Sequence, residues 1–169
     1  GQFVDLLGSG SKFKCKFTYL IQDEAGGIAQ ALLMGKDFTH KQFVVILGDN
    51  IFQYAPSRPE ACGLIVKKVD HASRFGVYTD GVIVEKPKIE GPGMAVTGLY
   101  FYTPEVFDFI KQLKPSDRGE MEITDVNNWC LKNLPTKIIE YDGFWSDAGT
   151  FDSLLSSANY VATHSKLDK

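Results

Sequence analysis

Phe43-Val-Val-Ile-Leu-Gly-Asp-Asn50 is the stretch on which the reading of this chain turns. It is continuously apolar and short, as a strand buried on both faces of a sheet would be. Gly48-Asp49-Asn50 is turn chemistry and stops the run, so Asp49 stands just past the end of a strand. A second aspartate has the same placement: Asp147, in Phe144-Trp-Ser-Asp-Ala-Gly-Thr150. Between them, Val84-Glu-Lys-Pro87 sets a carboxylate and an ammonium at the end of a third strand. Two carboxylates at strand ends can hold a hard divalent cation, and a nearby lysine can hold a phosphate. Together they point to chemistry on a phosphate ester.

Working outward, Lys16-Phe-Thr-Tyr-Leu-Ile21 reads as a strand, with β-branched and aromatic residues interleaved among others. Gly26-Gly27 breaks the chain before a short Ala- and Leu-rich helix over 28–34, whose first N–H groups would point into the glycine loop. Further strands are expected over 62–69, 95–102 and 137–141. Val77-Tyr-Thr-Asp-Gly-Val-Ile-Val84 reads as a hairpin, since Asp80-Gly81 supplies the positive φ of a tight turn. Pro104 suits the first turn of a helix whose apolar face is Val106, Phe107, Ile110 and Leu113. A helix over 124–133 turns Val126, Trp129 and Cys130 inward. The last helix, from 150 to about 163, carries an apolar stripe of Phe151, Leu154, Leu155, Ala158, Val161 and Ala162. Strands alternating with helices argue for one α/β domain over residues 1–169. Its mixed, mainly parallel, Rossmann-like sheet would be flanked by helices and carry an inserted β-hairpin region.

The bulk numbers fit such a domain. The 169 residues are 44% hydrophobic and 23% charged, an ordinary globular composition. A net charge of −3 with no basic stripe speaks against a nucleic-acid polymer as partner. No apolar run reaches membrane-span length, and no basic-then-apolar leader opens the sequence, so neither membrane insertion nor secretion is expected. The three cysteines, Cys15, Cys62 and Cys130, are far apart and include no C-x-x-C pair. A zinc knuckle is therefore not expected, and a reduced cytoplasmic setting is. His40, His71 and His164 are scattered among polar or loop residues and read as surface histidines. No Ser-His-Asp, Cys-His or H-E-x-x-H arrangement supports a hydrolase.

Seven segments, in order, resemble the sugar-1-phosphate nucleotidyltransferases, the glucose-1-phosphate thymidylyltransferases in particular. They are 22–30 (Gln-Asp-Glu-Ala-Gly-Gly-Ile-Ala-Gln), 47–50 (Leu-Gly-Asp-Asn), 74–77 (Arg-Phe-Gly-Val), 84–87 (Val-Glu-Lys-Pro), 95–102 (Ala-Val-Thr-Gly-Leu-Tyr-Phe-Tyr), 118–127 (Arg-Gly-Glu-Met-Glu-Ile-Thr-Asp-Val-Asn) and 144–150 (Phe-Trp-Ser-Asp-Ala-Gly-Thr). Each alone is weak; together they are spread through most of the chain, from residue 22 to residue 150. The family opens with a strand and a Gly-rich phosphate loop, G-G-x-G-T-R, followed by a Lys. Neither the N-terminal strand nor that loop is present here, so the sequence is expected to be incomplete at its N-terminus. Phe75 also stands where thymidylyltransferases usually have Tyr, which removes a hydroxyl near the sugar.

The resemblance implies a reaction and a set of roles. An oxygen of a sugar 1-phosphate, expected to be glucose 1-phosphate, attacks the α-phosphorus of dTTP or UTP, and pyrophosphate leaves. Asp49 and Asp147 would hold Mg²⁺, with Lys86 as the third catalytic group, neutralising the sugar phosphate. Glu85 would accept hydrogen bonds from sugar hydroxyls, and Gly76, Val96 and Glu120 would lie against the sugar phosphate. Gln22 and Gly27 would face the nucleobase, the first by its amide and the second by letting the base approach the backbone. A cytoplasmic homo-oligomer is implied as well. Plainer readings stand beside these: Asp49 as a turn residue, Asp147 as a favourable charge before a helix, and Glu85-Lys86 as a solvated pair worth about 0–1 kcal/mol. Val96 can be core, and Gln22 an incidental loop residue. Two other functions are weighed: a non-catalytic nucleotide- or sugar-phosphate-binding relative, and a metal-dependent glycosyltransferase. The second usually carries D-x-D, which does not occur in this sequence.

Overall fold

The apolar and aromatic run ending in Tyr102 forms the spine of the molecule. The computed structural model describes residues 1–39, 41–88 and 90–164. In chain order its elements are α1 (Gln2–Leu7), α2 (Ile28–Met34), β1 (Phe43–Ile46), β2 (Asn50–Phe52), β3 (Cys62–Val69), β4 (Gly76–Thr79), β5 (Val82–Glu85), β6 (Gly93–Tyr102), α3 (Val106–Ile110), α4 (Ile123–Asn133), β7 (Thr136–Glu140), β8 (Trp145–Asp147) and α5 (Phe151–His164). β6 is long enough to take β3 along one edge while β1 and β4 share the other. The resulting six-stranded sheet runs β5-β4-β6-β3-β7, with β1 on β6. Asp80 and Gly81 sit at φ 48° and 84° and close the β4–β5 hairpin, as the Asp-Gly pair implies.

The main core lies on the face covered by α2, α3 and α4. Leu64, Tyr100 and Tyr102 from the sheet meet Ala29, Val106, Phe107, Ile110, Val126 and Cys130 from the helices, all buried. Each large apolar side chain so buried contributes about 1.5–3 kcal/mol before entropy is counted. The opposite face has a smaller cluster, Ile65, Leu99, Phe101 and Tyr141, roofed by Phe52 and Trp145. Those two residues belong to a separate antiparallel ribbon in which β2 pairs β8, Asn50 opposite Asp147. The ribbon thus carries the two acidic segments to one place.

The expected mixed α/β sheet with flanking helices and an inserted hairpin is what is observed, with differences in detail. The sheet, expected to be mainly parallel, is mainly antiparallel: among the described pairs only β3–β7 is parallel and the other ladders are antiparallel. Residues 16–21 form no strand: β-propensity is realised against a partner edge, and Leu20 and Ile21 lie exposed instead. β1 is not buried on both faces. Phe43 and Val45 pack on the helix-side core, while Val44 and Ile46 are about half exposed. The stripe of α5 is likewise not interior: Phe151, Leu154 and Leu155 face solvent, and the buried residue of the helix is Ser157. His71 is exposed, His164 stacks on Tyr160 at 4.2 Å, and His40 lies outside the described residues. Cys62 and Cys130 are buried free thiols and Cys15 an exposed one. Among the described residues no helix is long and apolar enough to cross a membrane.

Candidate active site

The β1–β2 turn places Asp49 directly before Asn50, and the β2–β8 register sets Asp147 across from Asn50. Asn50 locks this junction. Its side-chain oxygen accepts the Gly98 amide N–H and the Trp145 indole N–H, both at 2.8 Å, and its amide nitrogen donates to Asp49 Oδ1 at 2.8 Å. Gly98 has to be glycine for this contact, because a Cβ there would stand 2.5 Å from the Asn50 amide. The Ala148 N–H donates to the Asp49 carbonyl at 2.7 Å and ties the two acidic segments by their backbones. The carboxylates converge beside Gly149: a Cβ on that residue would lie 3.7 Å from Asp147 Oδ2 and 3.8 Å from Asp49 Oδ2. The sum of those distances bounds the separation of the two oxygens.

Both aspartates open into one cleft of about 290 Å³, at the small end of ligand-site volumes. Its other walls include Arg74, Phe75, Gly76, Glu85, Lys86, Val96, Tyr100, Thr124 and Trp145. Lys86 reaches it from the end of the hairpin in a conformation few residues adopt, φ 42° directly before Pro87. Its N–H donates to the Phe75 carbonyl at 3.0 Å, so the surroundings enforce that geometry. Glu85 Oε2 accepts the Thr124 hydroxyl at 2.6 Å, which aims one carboxylate oxygen and leaves the other for a ligand. Arg74 donates to Asp147 Oδ2 at 2.7 Å and lies 5.2 Å from the centre of the Phe75 ring.

The electrostatics follow from the crowding. Burial pushes the Asp147 carboxyl above the usual carboxylate range and Asp49 adds to the push, against the pull of Arg74. Burial, with Glu85 and Asp49 nearby, pushes the Tyr100 hydroxyl well up, so it stays neutral. Among the described residues there is no group of three or more His, Cys, Asp or Glu that would cage a metal. The pair present nevertheless suits Mg²⁺, which keeps several waters and takes one or two carboxylates together with substrate phosphates.

Of the residues singled out in the sequence, Asp49, Asp147, Lys86, Glu85, Gly76 and Val96 line the cleft. Val96 also packs on the core, so both of its readings hold. Gln22, Gly27 and Glu120 do not line it but form a neighbouring cluster. The Gln22 amide donates to the Gly27 carbonyl at 3.4 Å and to the Gln30 side chain. Gly27 is at φ 91°, and a Cβ there would meet the Met121 carbonyl at 2.6 Å and Glu120 Cβ at 3.2 Å. The glycine therefore serves a close crossing of two backbone segments, whatever it does for a ligand. Ile28, the next residue, borders the cleft and joins the two regions. Arg74, Asn50 and Thr124 had no role assigned from sequence. Arg74 and Thr124 fall within the matched segments 74–77 and 118–127, and Asn50 ends the segment 47–50.

Several known proteins are similar to this chain in sequence and fold. A glucose-1-phosphate thymidylyltransferase from Neisseria meningitidis serogroup A is 37% identical over 179 residues, covering 95% of this chain and 62% of that protein. One from Mycolicibacterium smegmatis is 38% identical over 183 residues, again covering 95% of the chain and 62% of the relative. The chain thus spans about three fifths of the length of the curated relatives it matches. A crystal structure from Bacillus anthracis, assigned as a glucose-1-phosphate thymidylyltransferase in complex with sucrose, superposes with a TM-score of 0.85 at 44% identity. It covers 100% of this chain and 74% of that one. A UDP-glucose pyrophosphorylase complexed with UDP-glucose shares the fold, with a TM-score of 0.76 at 22% identity, covering 97% of this chain and 73% of that one. Residues 2–164 match the family described as Nucleotidyl transferase, and with the relatives above this shows that the chain belongs to the nucleotidyl transferase family.

Proposed function

We propose that this chain is part of a sugar-1-phosphate nucleotidyltransferase, with glucose 1-phosphate as the sugar and dTTP or UTP as the nucleotide. The observation that carries the reading is the meeting of two carboxylates and one ammonium around a single cleft, drawn from three distant segments. In the reaction, a phosphate oxygen of the sugar 1-phosphate forms a bond to the α-phosphorus while the bond to pyrophosphate breaks. Such chemistry depends on in-line positioning and charge neutralisation. Lys86 faces the sugar phosphate and holds its charge; Glu85, with one oxygen fixed by Thr124, accepts from the sugar hydroxyls. Gly76 and Val96 supply close contact with the sugar, and Glu120 flanks it. Gln22 and Gly27 sit on the nucleobase side. Asp49 and Asp147 would hold Mg²⁺, which would supply positive charge to offset that of the substrate phosphates. The protein works as a homo-oligomer in the cytoplasm, with no nucleic-acid polymer or membrane among its partners.

dTTP and UTP differ by one methyl group, a discrimination of roughly 1–3 kcal/mol that pocket packing sets. A screen of the full-length protein with Mg²⁺ tests the reading, pairing dTTP or UTP with glucose 1-phosphate and other sugar 1-phosphates. Pyrophosphate release that needs both substrates is the expected result. Release with no sugar 1-phosphate, or with none of the pairs, contradicts it.

A further inference from the structure

We infer that Arg74 is a built-in counter-ion that a divalent cation must displace from Asp147, so that this arginine weakens metal binding and confines it to the substrate-loaded site. This rests on the proposed metal role of Asp49 and Asp147. Three features of the geometry carry it. Arg74 Nη2 holds Asp147 Oδ2 at 2.7 Å, and that same oxygen and Asp49 Oδ2 both border Gly149, 3.7 and 3.8 Å from where its Cβ would stand. The Asp147 oxygen that shares the Gly149 border with Asp49 is therefore already paired with a guanidinium. Arg74, its side chain 45% exposed, also lies 5.2 Å from the Phe75 ring centre, while Phe75 in turn packs against Trp145 at 5.4 Å. Finally, Arg74 lines the cleft beside both aspartates, so a displaced guanidinium remains among the groups that would meet the substrate phosphates.

The charge of Asp49 opposes that of Asp147, and a cation beside the pair relieves the repulsion. Arg74 supplies it with a fixed charge. An incoming divalent ion gains the two carboxylates but must break the ion pair and meets a like charge. Phosphate oxygens arriving with the substrate offer the guanidinium a second bidentate partner and remove that opposition. Metal and substrate binding are thereby coupled. A residue that merely shaped the carboxylate would have the opposite sign, since its loss would weaken metal binding.

Mn²⁺ titration of the full-length protein without substrate, read by electron paramagnetic resonance, tests this in wild type, Arg74→Gln, Arg74→Lys and Asp147→Asn. Arg74→Gln is expected to bind Mn²⁺ at least fivefold more tightly than wild type, and Arg74→Lys to stay within about twofold, because the charge is kept. Unchanged or weaker binding in Arg74→Gln overturns the inference. If that variant does not fold, a fivefold or larger change in Arg74→Lys overturns it instead. Asp147→Asn separates the two levels. Should it leave Mn²⁺ binding intact, the metal reading itself is wrong; should it abolish binding while Arg74→Gln fails to tighten, only the role of Arg74 is wrong.

Discussion

Lys86→Gly separates strain from function at one position. Lys86 holds φ 42° ahead of a proline, enforced by its bond to the Phe75 carbonyl. A non-glycine residue pays roughly 1–2 kcal/mol for the left-handed region. Glycine removes that cost but loses about 0.5–1 kcal/mol through the greater freedom of its unfolded chain. The variant should therefore be as stable as wild type or more so, by up to about 1.5 kcal/mol. For a chain of this size that is a Tm rise of no more than roughly 3–6 °C. Function moves the other way. An ammonium-to-phosphate hydrogen bond is worth about 1.5–3 kcal/mol, so kcat/KM for the sugar 1-phosphate should fall roughly 10- to 150-fold. Thermal unfolding and pyrophosphate-release kinetics on the full-length protein read both quantities. A marked loss of stability would refute the strain argument, and unchanged kinetics for the sugar phosphate would take Lys86 out of the site.

Asn50→Ala strands the Gly98 and Trp145 N–H donors in a buried junction. It should cost about 3 kcal/mol, a Tm fall of roughly 6–12 °C by thermal scanning; a shift under 2 °C would deny Asn50 its locking role. Gly27→Ala puts a Cβ 2.6 Å from the Met121 carbonyl on backbone open essentially to glycine. A loss of about 2 kcal/mol or more is expected in denaturant titration, and wild-type stability would contradict the crossing described here. Burial opposes ionisation of Glu122, but hydrogen bonds from Ser116 and Arg118 and the charge of Lys86 prevail and leave its carboxyl below the ordinary 4.5. A lowered folded-state value stabilises above pH 4.5 and is lost as pH falls through it. Wild type should thus lose more Tm than Glu122→Gln between roughly pH 5 and pH 3; parallel curves would show that the Arg118–Glu122 bridge does not contribute.

The elements that could be read from the sequence are those with a local cause. Asp80-Gly81 writes its own hairpin turn, and the apolar spacing of Val126 and Cys130 writes α4. Strand direction has no local signature: β6 pairs antiparallel with β1, β3 and β4 although nothing in its composition says so. Exposure is likewise decided by neighbours, which is why the apolar run of β1 and the stripe of α5 looked interior and are not. In the site, Asp49 and Lys86 stand out because charge close after an apolar strand is unusual; Asp147, expected just past a strand, is instead the last residue of β8. Gln22, Gly27 and Glu120 share one cluster beside the cleft because the 22–27 loop crosses the chain at Met121. Arg74 carried no signal of its own; a loop arginine acquires meaning only when the fold sets it against Asp147.

The most direct test is Mg²⁺-dependent pyrophosphate release from dTTP and glucose 1-phosphate by the full-length protein, comparing wild type with Asp49→Asn and Asp147→Asn. Both substitutions keep size and remove one charge, so folding should persist while turnover falls at least about 100-fold in each. Near-normal turnover in either variant would contradict the claim that these two carboxylates share one cation.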